Sequence, residues 1–184
     1  MAISLKISLG EADMAVKMKN IILIGMPGAG KSTVGVVLAK NLGMGFLDSD
    51  LLIQEKYKKL LHELIEERGV EGFWRIENEV NAFIETENTV IATGGSVIYG
   101  KEAMEHLKQV GTVVYLKLSC EELAVRLGDL NERGVTLRHG QDLEGLFQER
   151  IPYYEKFADL TIDCENKMIK DIVLEIKKQI RIES

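Results

Sequence analysis

Proline and cysteine are scarce in this chain, with two of each among 184 residues. So few prolines, beside 17 glycines, exclude a Pro-rich or collagen-like architecture. Cys120 and Cys164 form no spaced motif, which argues against a disulfide framework and suits a reducing cytosol. The three histidines, His62, His106 and His139, are unclustered, so they offer neither a metal-ligand set nor a catalytic triad. Long apolar runs are missing too. None reaches the roughly 18 residues of a membrane span. The first 17 residues make a poor signal peptide, because Lys6, Glu11 and Asp13 interrupt their short apolar run. There is no excess of basic charge. With 29 acidic and 23 basic residues the net charge is −6, which argues against a broad nucleic-acid-binding face.

What remains is an ordinary globular composition, 46% hydrophobic and 28% charged. A chain of this length can bury a core without disulfides or metals. Residues 1–17 are read as an N-terminal extension of unassigned role, and residues 18–184 as one domain. Asn20 to Ile24 is a continuous apolar run that enters a Gly-rich turn, the mark of a buried strand. Lys31 to Leu42 carries Val34, Val37, Leu38 and Leu42 at helical spacing. Further strands are expected at Phe46–Leu47, Thr89–Ala92, Thr112–Leu118 and Leu160–Ile162. Helices are expected over Asp50–Ile84, with breaks near 58–60, at Gly69 and at Gly72. Others are expected over Lys101–Gln109, from Glu121 to Leu127, over Leu143–Phe157 with a kink at Pro152, and over Lys167–Ile182. Gly128 to Gly140 reads as a mobile polar loop. Such alternation predicts an α/β fold, a parallel sheet covered on both faces, with ligands at the carboxyl ends of its strands.

Gly25-x-x-x-x-Gly30-Lys31-Ser32 is the P-loop pattern. Its glycines let backbone N–H groups curl around phosphate oxygens, and the following helix adds its N-terminal dipole. By chance the four matched positions arise in roughly one in a hundred chains of this length; here they also lie between a buried strand and a helix. Lys31 is placed to reach terminal phosphates and Ser32 to ligate Mg²⁺. A GTPase should carry Asn-Lys-x-Asp near a late strand, and this chain reads Leu118-Ser119-Cys120-Glu121-Glu122 there. Asp48 and Asp50, two apart at a strand end, face one side of an extended segment. A carboxylate there can orient a nucleophilic oxygen and accept its proton, or, as the plainer alternative, cap the following helix.

Taken together, GMPGAGKSTVG at Gly25–Gly35, FLDSD at Phe46–Asp50, GFWRIE at Gly72–Glu77, ATGGS at Ala92–Ser96, the loop around Arg133 and ERIPYYEKFAD at Glu149–Asp159 resemble the shikimate kinase family. The likeness spans nearly the whole chain. It implies a three-layer P-loop kinase fold with a five-stranded parallel sheet, a helical substrate-binding segment at residues 50–86 and a lid at 128–140. It also implies transfer of the ATP γ-phosphate to a hydroxyl of shikimate, on the way to aromatic amino acids. ATP would be held by Gly28, Ala29, Gly30, Lys31, Ser32 and Thr33, with Arg126 stacked on adenine. Mg²⁺ would lie by Ser32 and Asp48. Lys31, Asp50 and Arg133 would carry the chemistry, Arg133 arriving with the lid. Gly94, Gly95 and Arg150 would touch the acceptor, Arg150 at its carboxylate. A cytoplasmic monomer acting on a small molecule, with no nucleic-acid or membrane partner, completes the expectation.

Three departures stand out. Phe73-Trp74 replaces the family's Phe-Arg, whose Arg shares the carboxylate clamp. Arg75 is the neighbouring candidate for that role, but it sits about 100° around the helix. Ser96 replaces a third glycine. Arg133-Gly134-Val135 replaces Arg-Pro-Leu, loosening what proline stiffens. A kinase with another hydroxylated acceptor and a non-catalytic nucleotide-binding regulator stay open as alternatives.

Overall fold

The computed structural model describes residues 19–127 and 140–182. Residues 1–18, most of the expected 128–140 lid with Arg133, and the last two residues lie outside that description. The described strands are β1 (Asn20–Ile24), β2 (Gly45–Asp48), β3 (Thr89–Ala92), β4 (Gly111–Lys117) and β5 (Leu160–Asp163). All pair in parallel, in the order β2-β3-β1-β4-β5. The helices are α1 (Lys31–Leu42), α2 (Ser49–Tyr57), α3 (Leu61–Ala82), α4 (Lys101–Val110), α5 (Cys120–Leu127), α6 (Leu143–Phe157) and α7 (Ile169–Ile182).

The order follows from burial. β1 and β3 are buried at every residue, as central strands covered on both faces must be. β2 and β5 are only partly buried and form the edges. The main core joins Ile22, Leu23, Ile91, Val113 and Leu116 of the sheet to Leu38, Leu107 and Ile176 of the covering helices. Because the chain runs from β1 to β2 and β3 on one side and then crosses to β4 and β5 on the other, a crevice opens above the carboxyl end of β1. Among the described residues no helix is long and apolar enough to cross a membrane.

α2 and α3 pack on each other around a separate apolar cluster of Ile53, Leu64, Phe73, Ile76 and Val80. The expected break at 58–60 is present, with Lys58 at φ 53° ending α2. Gly69 kinks α3, with φ 68° and ψ 171°. Gly72, expected to break the helix as well, is helical instead; a Cβ there would lie 2.8 Å from Arg68 Cβ, so its role is close packing. α6 continues through Pro152.

Candidate active site

The turn after β1 delivers the phosphate loop. Gly30 caps α1 with φ 88° and ψ 18°, a left-handed conformation that glycine adopts without steric cost. Ala29 is buried beneath the loop, its N–H donating to Met26 O at 3.1 Å. Gly28, Gly30, Lys31, Ser32 and Thr33 line a cavity of about 430 Å³, joined by Asp50, Gly95 and Arg126. The cavity sits where α1 begins, so its floor carries that helix's unpaired N–H groups.

Lys31 is 8% exposed, and its Nζ donates to Gly25 O at 2.8 Å and Met26 O at 3.0 Å. Burial lowers its pKa to about 8, against the opposing pull of Asp50. Ser32 Oγ donates to Asp48 Oδ2 at 2.6 Å. The other Asp48 oxygen accepts from the Asp50 N–H at 3.0 Å and caps α2. The capping alternative therefore holds for Asp48 with one oxygen, while the second faces Ser32. Asp50 is turned into the cavity, and burial, helped by Asp48, raises its pKa to about 6.

Behind these residues the end of β3 is tied down. Thr93 Oγ1 donates to Leu23 O at 3.0 Å, and the Gly94 N–H to Ser49 Oγ at 3.3 Å. A Cβ on Gly94 would lie 2.8 Å from Asp50 Oδ1 and would collide with Glu77 Oε1. Only glycine lets both carboxylates come so close to the strand end. Arg150 has no exposed surface; a Cβ on Gly95 would lie 3.1 Å from its Nη1. Its Nε donates to Tyr99 Oη at 3.4 Å, and Tyr99 Oη donates to Glu149 Oε1 at 2.6 Å. Tyr154, from the next turn of α6, donates to Gly95 O at 2.6 Å.

Lys31, Asp50, Gly94, Gly95 and Arg150 therefore converge, as does the Ser32–Asp48 pair. Arg75 does not. It is exposed and lines a different depression of about 310 Å³, shared with Trp74 and Tyr99. The reason is the helical step: Phe73, Ile76 and Glu77 take the inward face of α3, and Arg75 is turned away from it. Trp74 is half-buried against the α2–α3 cluster and 4.4 Å, ring centre to ring centre, from Tyr99. Arg126 lines the cavity and also pairs with Glu122 at 2.9 Å, so the expected nucleotide contact and the plain helix ion pair coincide.

One central residue was missed by the sequence reading. Glu77 is 1% exposed, and its Oε2 accepts from Ser96 Oγ at 2.5 Å. Burial, with Asp50 nearby, raises its pKa to about 7, and the Ser96 hydrogen bond opposes the rise. A signal was available: Glu77 is an acid four residues after Phe73, on the apolar face of an amphipathic helix, where a charge needs a reason.

A phosphate loop on the central strand, with a buried lysine and carboxylates from the neighbouring strand end, defines a P-loop phosphotransferase. The chain belongs to the shikimate kinase family, whose model matches residues 27–181. A shikimate kinase of Bacillus mycoides is 37% identical over 166 residues, spanning 89% of this chain and 99% of that protein. One of Parabacteroides distasonis is 39% identical over 166 residues, spanning 86% and 95%. The solved structure of Acinetobacter baumannii shikimate kinase in complex with shikimate superposes with a TM-score of 0.83. It is 32% identical and covers 91% of this chain and 95% of its own.

Proposed function

We propose that this chain transfers the γ-phosphate of ATP to the 3-hydroxyl of shikimate. The observation that carries the reading is the placement of Asp50, a buried carboxylate in the same cavity as the phosphate loop and Lys31. Asp50 orients the acceptor hydroxyl and takes its proton as the oxygen–phosphorus bond forms. The bond to the β,γ-bridging oxygen breaks, and its electron pair leaves with ADP. Lys31 releases its two carbonyl acceptors and turns to the β- and γ-phosphates. Arg126 borders the nucleotide. Arg133 supplies lid charge, by resemblance alone. Arg150 meets the acceptor carboxylate behind Gly95.

Ser32 Oγ and Asp48 Oδ2 are hard oxygen donors side by side at the phosphate loop, and that donor set fits Mg²⁺. When bound there, Mg²⁺ supplies charge neutralisation at the phosphates.

A coupled ADP-release assay with Mg-ATP tests the reading. Turnover should require shikimate and reach about 1–100 s⁻¹. Equal ADP release without shikimate, or with neutral polyols in its place, would overturn it. The pH profile of kcat/KM for shikimate should be bell-shaped. The acid limb lies near pH 6, where Asp50 gains its proton, and the alkaline limb near pH 8, where Lys31 loses its own. Loss of the limb near pH 6 in Asp50→Asn checks the assignment.

Trp74 is the point where the acceptor clamp departs from the family. Arg150 is then the principal cation for the carboxylate, because Arg75 faces away. Trp74→Arg is expected to lower KM for shikimate by about tenfold, the worth of a second charge-assisted contact. KM for ATP should stay within twofold, roughly. An unchanged shikimate KM would remove Trp74 from the acceptor site.

A further inference from the structure

Tyr99 stands between Trp74 and Arg150. It ends the short 3₁₀ turn Val97–Tyr99, just past the end of β3. Val97 and Ile98 of that turn are buried in the main core, and Tyr99 is left to meet α3 and α6. Its ring centre lies 4.4 Å from that of Trp74 on α3 and 5.7 Å from that of Tyr153 on α6, edge-on to the latter at 70°. Held from two sides, the ring carries its hydroxyl to a fixed point.

That hydroxyl clasps two successive residues of α6. It accepts from Arg150 Nε at 3.4 Å and donates to Glu149 Oε1 at 2.6 Å. Glu149 is anchored in turn, because its Oε2 accepts from Gln141 Nε2 at 2.8 Å. Arg150 Cζ lies 5.4 Å from the centre of the Tyr99 ring, within reach of a cation–π attraction. Burial, followed by the Glu149 hydrogen bond, raises the Tyr99 pKa, so the hydroxyl keeps the proton that it gives to Glu149. A hydroxyl that donates to a carboxylate is polarised, which strengthens it as an acceptor toward the guanidinium.

A guanidinium is a planar fork, and it grips a carboxylate well only when its plane is set. Two arginines on one carboxylate fix the anion between them. Here Trp74 stands where the family has the second arginine, and Arg75 lines a different depression. The plane of the remaining fork must then be set by the protein. Gly95 closes it on one side, since a Cβ there would lie 3.1 Å from Nη1, and the Tyr99 hydroxyl takes the Nε edge.

We propose that Tyr99 is a positioning residue for the acceptor's carboxylate: its hydroxyl, oriented by Glu149, sets the plane of Arg150 and replaces the restraint that a second arginine would impose. This rests on the acceptor reading above and deepens it, naming how the acidic group of the acceptor is selected by a clamp with one cation.

The test compares shikimate with its carboxamide, which has the same shape and no charge. In the unaltered enzyme kcat/KM should be about tenfold to a hundredfold lower for the carboxamide, the worth of hydrogen bonds to a charged group. Tyr99→Phe keeps the ring between Trp74 and Tyr153 and removes only the hydroxyl. It should raise KM for shikimate about threefold to tenfold, the worth of one hydrogen bond, with kcat and KM for ATP within about twofold. Its kcat/KM for the carboxamide should change by less than about twofold, so the preference for the acid shrinks. Glu149→Leu should reproduce this pattern, and the double variant should be no worse than either single one, because both act through one hydroxyl. Glu149→Gln keeps an oxygen for that hydroxyl and should restore the shikimate KM to within about twofold of the unaltered enzyme. An unchanged shikimate KM in Tyr99→Phe, equal losses for both acceptors, or additive losses in the double variant would overturn the proposal. An unaltered enzyme that uses neither acceptor, or uses both equally well, would instead sink the acceptor reading on which it rests, so the two failures are distinguishable.

Discussion

Replacing Asp50 by Asn is expected to lower kcat about 10²- to 10⁴-fold, the range for loss of a positioned general base. Binding of ATP, measured by titration without acceptor, should be nearly unchanged, because the phosphate loop does not depend on Asp50. The same variant should melt at a higher temperature at neutral pH. Asp50 has a folded-state pKa raised to about 6, chiefly by burial and then by Asp48. A carboxyl group with a raised folded pKa stabilises the fold while protonated, and that contribution is lost as pH climbs from about 4 through 6. At pH 7 the buried charge therefore costs on the order of 2–3 kcal/mol. Asn keeps the shape and removes the charge. Thermal melts of both proteins at pH 5 and pH 7 check this. The gain should be clear at pH 7 and should shrink toward pH 5. A lower melting temperature for Asp50→Asn at pH 7 would show that Lys31 more than compensates the buried carboxylate.

Lys31→Met is expected to lower kcat by about 10³-fold, comparable to removing a preorganised donor aimed at transition-state charge. Met has nearly the same length and apolar stem, so the packing beneath the loop is kept. What disappears is the ammonium that donates to Gly25 O and Met26 O and is available for the β- and γ-phosphates. Burial already lowers the Lys31 pKa to about 8, so the folded chain carries that charge at a cost below pH 8. Stability should hold or rise in the variant at pH 7, while the alkaline limb of the activity profile near pH 8 disappears. Single-turnover kinetics would separate the phosphoryl step from ATP binding. A kcat within tenfold of the unaltered enzyme would contradict the placement of Lys31 at the transferring phosphate.

Much of the fold was legible because its signals are local. An apolar run such as Ile21–Ile24 reads as a covered strand wherever the chain is cut, and the spacing of Val34, Val37, Leu38 and Leu42 reads as a helix face. The phosphate loop is legible for the same reason. Its function depends on backbone conformation within eight consecutive residues, Gly25 to Ser32. Asp48 and Asp50 lie close behind it, where a strand end and a helix start share a short segment.

Gly72 was misread because a glycine's effect depends on its neighbours. Propensity marks it as a breaker, but it is helical, and a side chain there would press on Arg68. Arg75 shows the limit of position along the chain. One step around α3 separates Ile76, on the buried face, from Arg75, facing outward, and which step faces inward is set by what α3 packs on. Glu77 needed more still. Its meaning arises where α3, the end of β3 and α2 meet, bringing Ser96 and Gly94 from one distant stretch of sequence and Asp50 from another to one carboxylate.

The sequence by itself determined the strand–helix alternation, the phosphate loop and the family of kinases to which the chain belongs, since each of these is written in contiguous residues. The tertiary structure alone decided which side chains of α3 turn inward, that Arg150 is enclosed behind Gly95, and that Glu77 keeps one buried oxygen against Gly94. Those facts depend on burial and on distances between remote segments, which are properties of the packed chain and of no single stretch of it.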